Sequence, residues 1–244
     1  MHKGGDRNIK KKILQIVIIL LLMIIVISSY FLIMDIFQSK KSKKSNIKLI
    51  EQVITEENNV KSINWEELEK INKDIIGWIN IKNTNINYPI LKDSEKLKYL
   101  KHSFDGKYNK NGSIFTLEQQ PFQEKETIIY GHNMKNGIMF SELSKYMEKE
   151  FWDKNSTINI YTKNQNYKAT VFSCYSIGID REENNIKSLN FKEKVEYYQK
   201  SSYLNKNVGE IDEIIKLSTC SYINNKKTPT EQRYYIIAKL EKIN

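Results

Sequence analysis

Apolar and polar residues alternate in short runs over most of this chain, and one stretch departs from that pattern. From Ile13 to Met34, 22 residues pass without a charge. As a helix rising about 1.5 Å per residue that stretch reaches roughly 33 Å, enough to cross a hydrocarbon layer of about 30 Å. A secretory leader has a shorter apolar region of roughly 7–15 residues followed by small residues at a cleavage site. Here no Ala-x-Ala follows. The pattern therefore predicts an uncleaved signal-anchor over 13–34, behind a cytoplasmic tail of residues 1–12. Residues 35–62 read as a juxtamembrane stalk, with Ile47, Leu49, Ile50, Val53 and Ile54 at roughly helical spacing. Residues 63–244 form the remaining domain.

Within that domain the periods change repeatedly. Asn64 followed three residues later by Glu67 is a capping-box signature, and Trp65, Leu68 and Ile71 share a face, so a helix is predicted over Asn64–Lys73. Runs rich in β-branched and aromatic residues predict strands over Ile75–Ile79, Thr84–Leu91, Ser113–Leu117, Thr127–Tyr130, Thr157–Thr162, Tyr167–Ile177, Ile214–Cys220 and Arg233–Leu240. Phe140, Leu143, Met147 and Phe151 are spaced for a helix over Phe140–Phe151. Asn190 with Glu193 is a second capping box, and Phe191, Val195 and Tyr198 make the apolar face behind it. This helix interrupts the long connection before Ile214. Eight short strands with few helices predict a mainly β fold, an eight-stranded closed barrel with N-terminal helices and one inserted helix.

Charge changes the picture less than its total suggests. The net charge is +10, but residues 1–48 hold ten Lys/Arg against Asp6 and Asp35, leaving 29 basic and 27 acidic residues elsewhere. The basicity flanks the apolar stretch, where it meets anionic lipid headgroups. No basic stripe with interleaved aromatics is left for nucleic acid. There is no Gly-rich phosphate loop, and two cysteines and three histidines are too scattered for a zinc set.

Three residues are the candidates for chemistry. Cys220 ends an apolar strand-like run at Lys216-Leu217-Ser218-Thr219-Cys220, where a sulfur nucleophile is approachable while its base stays fixed. The alternative is a core cysteine, or a disulfide with Cys174. His132 follows the strand-like Ile128-Ile129-Tyr130 with Gly131 between. It is either the proton carrier that a thiolate mechanism needs or a residue capping a strand end. Arg233 opens the last strand in a chain where lysine fills 36 of 39 basic positions. An arginine there suits a need for a planar, always-charged fork, or belongs to a surface ion pair.

The order anchor, Tyr130-Gly131-His132, Leu217-Ser218-Thr219-Cys220, Arg233 resembles that of the sortases, cysteine transpeptidases of Gram-positive cell surfaces. The matching positions run from about Trp65 to Leu240 and include Gly77-Trp78-Ile79, Asn87-Tyr88-Pro89, Gly112-Ser113-Ile114-Phe115 and Gly131-His132-Asn133-Met134. The helix near 190–201 and the helical N-terminal extension are similar to class B.

The resemblance implies an extracellular catalytic domain in which Cys220 is the nucleophile, His132 the general acid and base, and Arg233 the oxyanion stabiliser. Ser218 and Thr219 would line the substrate pocket or support it. It implies sorting-motif-bearing surface proteins as substrates, an amine of peptidoglycan precursor as acceptor, lipid around the N-terminal helix, and no metal or organic cofactor. Two other readings stay open: a pilin polymerase with a lysine nucleophile, and a membrane-tethered binding module with Cys174 and Cys220 bridged. The family's usual Thr-Leu-x-Thr-Cys begins here with Lys216, and no Asp or Glu follows the cysteine until Glu231.

Overall fold

The structure, a computed structural model, describes residues 3–57, 60–95, 97–222 and 230–243. The chain divides into two compact units, 1–44 and 45–244. Residues 3–44 of the first belong to helix α1 (Lys3–Val53), and the apolar side chains from Ile13 to Phe37 are exposed. Among the described residues, α1 alone is long and apolar enough to cross a membrane.

The second unit begins with the last turns of α1. It continues through a hairpin of β1 (Ile54–Glu57) and β2 (Val60–Ile63), then α2 (Trp65–Ile71). Then come β3 (Ile75–Ile81), β4 (Asn87–Lys92), β5 (Ile114–Thr116), β6 (Glu126–Tyr130), α3 (Lys149–Lys154), β7 (Thr157–Tyr161) and β8 (Asn166–Gly178). Helices α4 (Ile179–Ile186) and α5 (Phe191–Ser201), the short β9 (Leu204–Asn205), β10 (Ile214–Cys220) and β11 (Gln232–Ile243) complete it.

Eight strands close on themselves in the order β3-β4-β5-β6-β10-β11-β8-β7, with β7 returning to β3. The β4–β5 and β6–β10 pairs are parallel and the rest antiparallel. A long ladder from Gln232↔Gly178 to Ile243↔Asn166 joins β11 to β8 and shuts the barrel. The sequence-level expectation of an eight-stranded barrel with helical additions is met.

Side chains alternate across each strand, so each has an inner and an outer set. The inner set fills the barrel with residues such as Ile79, Ile81, Ile90, Ile129, Ile160, Val171, Leu217 and Ile236. On one outer side, Trp78, Leu91 and Phe115 pack with Leu49 and Val53 of α1 and Leu68 of α2. On another, Phe172, Tyr175, Ile214, Tyr235 and Ile237 pack with Val195 and Tyr198 of α5. Much of the barrel is thus covered on both faces, which explains why β10 reads as an almost continuous buried run.

Several elements differ from the sequence expectation for identifiable reasons. Asn64 caps α2 by accepting from the Glu67 N–H at 3.1 Å, but the Glu67 carboxylate accepts from Gln52 Nε2 at 2.8 Å. Residues 141–147 form a 3₁₀ helix, and Glu148 breaks it from α3. The fully buried side chains there are Phe140, Leu143 and Tyr146, spaced by three, which is the 3₁₀ period. The connection before β10 holds two helices instead of one. Within the segment read as a stalk with helical spacing, residues up to Val53 are helical, and Leu49 and Val53 pack in the second unit.

At α5 the capping box is complete. Asn190 Oδ1 accepts the Glu193 N–H at 3.1 Å, and the Glu193 carboxylate accepts the Asn190 N–H at 2.8 Å. Asn190→Ala is expected to lower stability by about 1 kcal/mol. Urea denaturation measures this, and an unchanged midpoint would show that the cap contributes nothing.

Candidate active site

The site is assembled by register. Along the parallel pair, Tyr130 of β6 stands beside Ser218 of β10, and the Gly131 N–H extends the ladder to the Ser218 carbonyl at 3.2 Å. Two residues past Tyr130, His132 therefore comes level with Cys220, two residues past Ser218. Across the antiparallel pair, Cys220 faces Arg233. Directly opposed residues place their Cα atoms about 4.5–5.5 Å apart, and neighbouring strands lie about 4.8 Å apart. Residues far apart in sequence thus bring sulfur, imidazole and guanidinium to one edge of the barrel. All three side chains are half-buried.

Short-range bonds stitch this edge together. Asn133 Nδ2 donates to the Cys220 carbonyl at 2.7 Å, and the Thr219 hydroxyl donates to the Gly131 carbonyl at 2.7 Å. A Cβ on Gly131 would sit 2.5 Å from Ile114 Cδ1 and 2.7 Å from Phe140 Cδ2, so the approach to His132 requires glycine.

The imidazole is held through Nε2. His132 Nε2 lies 2.8 Å from the Leu100 carbonyl. A carbonyl only accepts, so Nε2 carries the hydrogen in this bond and Nδ1 stays outside it. Leu100 ends the 3₁₀ turn Lys98–Leu100, and the Ser113 N–H holds that turn through the Tyr99 carbonyl at 2.9 Å. Gly112, at φ +61°, allows the crossing: a Cβ there would meet the Leu100 and Tyr99 carbonyl oxygens at 2.7 Å. Beneath it the Tyr99 hydroxyl, pushed up to about 12 by burial and by Asp74, donates to that carboxylate at 2.5 Å and accepts from Asn72 at 2.8 Å.

Arg233 uses Nη1 to donate to the carbonyls of Thr230 at 2.6 Å and Gln232 at 2.9 Å. These bonds tie the guanidinium to the backbone leading into β11.

Comparison with known proteins gives the family. The model of the Sortase domain family matches residues 79–241. That match covers most of the chain and contains all three candidate residues. The chain belongs to the sortase family.

Sortase B of Listeria monocytogenes is 36% identical over 161 residues, covering 63% of this chain and 65% of that protein. Sortase B of Staphylococcus aureus is 33% identical over 189 residues, covering 73% and 75%. The structure of a Staphylococcus aureus sortase B–substrate complex superposes with a TM-score of 0.65 at 30% identity, covering 73% of this chain and 85% of that one. The chain thus spans just under two thirds of the Listeria protein and three quarters of the Staphylococcus protein.

Within this sortase barrel the remaining sequence candidates separate. Ser218 lies on the same face of β10 as Cys220, one step below it, between Tyr130 and Tyr235 in the ladders. Thr219 lies on the opposite face, and its hydroxyl is engaged with Gly131, so its part is to hold the His132 segment to β10. Cys174 is fully buried, with Sγ 3.2 Å from the Tyr146 carbonyl, and burial pushes its thiol up to about 11.

Both cysteines are free. Cys174 pairs with Ile236 and Cys220 with Arg233, on opposite sides of β11 and three residues apart along it. Three residues of strand alone span about 10 Å, beyond the roughly 7 Å that a disulfide bridges. The bridged binding-module reading does not fit this fold.

Lys216, the departure from the family pattern, is buried in an ion pair with Glu182 of α4. Its ammonium lies 4.3 Å from the Tyr235 ring centroid and 4.7 Å from that of Tyr198. Burial pulls this lysine below its ordinary value, against the opposing pull of the carboxylate. The contributions of the Leu100 carbonyl and Glu182 were not foreseen. Gly112 and Asn133 stood among the positions that resemble the family, with no role assigned to either.

Because the Cys174 thiol stays protonated and enclosed well above neutral pH, a soluble thiol reagent at about pH 8 should label one cysteine, Cys220, in the native protein and two after denaturation. Peptide mass mapping reads this out, and labelling of Cys174 in the folded protein would contradict its placement.

Proposed function

We propose that this chain is a membrane-anchored cysteine transpeptidase that cleaves a C-terminal sorting motif on exported proteins and passes the acyl group to a peptidoglycan amine. The observation that carries this reading is the cross-strand pair Cys220↔Arg233 level with His132. The Cys220 thiolate attacks the carbonyl of a Thr–Gly-like bond. Electrons move onto the carbonyl oxygen, and the Arg233 fork stabilises that charge. The Ser221 N–H already donates to the Gln232 carbonyl at 2.9 Å, which places more of the oxyanion's stabilisation on the guanidinium. A guanidinium has five N–H donors, so the bonds from Nη1 do not exhaust it.

His132 Nδ1, having taken the Cys220 proton, gives it to the departing amine as the C–N bond breaks, which completes the thioacyl-enzyme. It then removes a proton from the incoming amine, which attacks the thioester and releases Cys220. Leu100 keeps the imidazole in the tautomer this cycle needs. Ser218 lines the floor one step below the sulfur.

Family membership and the apolar helix support the location. Residues 13–34 span the bilayer, residues 1–12 lie on the cytoplasmic side, and residues 63–244 act outside, close to surface proteins leaving the membrane. Lipid surrounds the helix, and the flanking lysines and arginines meet headgroups. That a sortase B relative has been solved as a substrate complex supports a sorting-motif peptide as the ligand.

The test is mass spectrometry of the protein mixed with a small library of sorting peptides and candidate amines. A thioacyl adduct on Cys220 and an amine-dependent ligated product are expected, and their absence across the library would overturn the reading. Cys220→Ala should abolish cleavage with the fold retained; surviving turnover would remove Cys220 as nucleophile. Arg233→Lys should lower kcat by roughly a hundredfold or more while KM changes little, because a point charge cannot reproduce the fork. Steady-state kinetics decide this, and unchanged kcat would return Arg233 to an ordinary surface role.

A further inference from the structure

Among the described ion pairs, Glu182–Lys216 is the most deeply buried, with both side chains 2% exposed. A buried pair is often no more stabilising than apolar residues of similar volume, so stability alone does not account for it. What such a pair adds is direction, and here both carboxylate oxygens are engaged. Glu182 Oε1 accepts from Lys216 and from the Tyr175 hydroxyl at 2.6 Å, and Oε2 accepts from the Tyr197 hydroxyl at 2.9 Å. The Tyr198 and Tyr235 rings enclose the ammonium. One carboxylate thereby fixes the seat of α4 against β8, β10 and α5.

The seat of α4 bears on Arg233. Helix α4 starts immediately after β8, and its first N–H, from Ile179, donates to the Glu231 carbonyl at 3.0 Å. The adjoining pairs are Gly178↔Gln232 and Ile177↔Arg233. The Thr230 and Gln232 carbonyls on either side of Glu231 are the acceptors that hold Nη1 of Arg233. A continuous set of bonds therefore runs from Lys216 through Glu182, α4 and the 230–232 backbone to the guanidinium.

We propose that Glu182 and Lys216 are positioning residues for Arg233, setting the place of its fork beside Cys220 from four residues upstream of the nucleophile. This rests on the transpeptidase reading for its catalytic meaning. Its geometric content is measurable without turnover.

The experiment uses the full chain in detergent micelles. The rate of Cys220 modification by an anionic methanethiosulfonate is divided by the rate with a neutral one, a ratio that a nearby guanidinium raises. Glu182→Gln removes a negative charge, so a direct through-space effect would raise the ratio. Displacement of the fork would lower it, and a fall of roughly threefold or more is expected. In an Arg233→Gln background the same substitution should produce no fall.

If Glu182→Gln lacks a cooperative thermal transition, Glu182→Leu/Lys216→Met serves in its place. It leaves no lone buried charge and no change in net charge, and the same fall is expected. A folded variant with an unchanged or raised ratio, or one whose ratio falls equally without Arg233, overturns the proposal. With sorting peptide, kcat should fall while KM is nearly kept, and Lys216→Arg should retain more kcat than Lys216→Met. Wild-type protein inert toward all peptides would sink the transpeptidase reading, and the reagent ratio would still decide the positioning.

Discussion

The parallel pairing of β6 with β10 is the constraint on which the site depends. In a parallel pair the C-terminal ends of both strands lie at the same edge of the sheet. The histidine just past β6 and the cysteine ending β10 are therefore brought to one edge although 87 residues separate Asn133 from its partner Cys220. Antiparallel pairing would have put them at opposite ends. The next strand, β11, runs back against β10, so its first residues return to the same edge and carry Arg233 with them. Two strand ends and one strand start define the site, and no long loop has to be ordered to bring them together.

Parallel strands require a crossover, and here the crossover is put to use. Between β6 and β10 the chain builds β7 and β8, which complete the barrel, and α4 and α5, which cover its outer side. The same detour that permits parallel pairing thus supplies the wall next to Arg233. Closure through the β11–β8 ladder makes the floor of the site part of a shut surface with no free strand edge in that ring.

The sequence revealed the parts of this fold whose burial is apolar and periodic. Barrel strands stand out because β-branched and aromatic residues cluster in runs bounded by polar turns, and α5 stands out because Asn190 and Glu193 mark its start. Helix α4 does not, because its buried residue is Glu182, a carboxylate that hydropathy assigns to solvent. The segment 141–147 follows the period of three set by Phe140, Leu143 and Tyr146, close enough to the α period to be read as α-helix. Cys220, His132 and Arg233 were named as candidates from residue type and order, and the fold brings them to one edge. The part played by the Leu100 carbonyl was not foreseen, because a backbone acceptor has no side-chain signature and its role exists only after the chain has folded.

The two cysteines show how the fold assigns chemistry to residue type. Cys174 lies in the barrel interior, where loss of solvent disfavours the thiolate and the sulfur packs as a small apolar group. Cys220 lies where the ladder ends, half-open, opposite a guanidinium and level with an imidazole whose tautomer a carbonyl has fixed. Nothing intrinsic to cysteine separates them. Strand position does: one side chain points into the closed barrel, and the other meets solvent beside a positive charge. The buried Glu182–Lys216 pair extends the same logic, because a charge taken out of water has few ways to be satisfied and so holds its neighbours to one arrangement. In the reaction proposed above, where developing charge must meet a donor at a fixed place, a rigid seat four residues from Cys220 is worth more than an apolar contact that tolerates sliding.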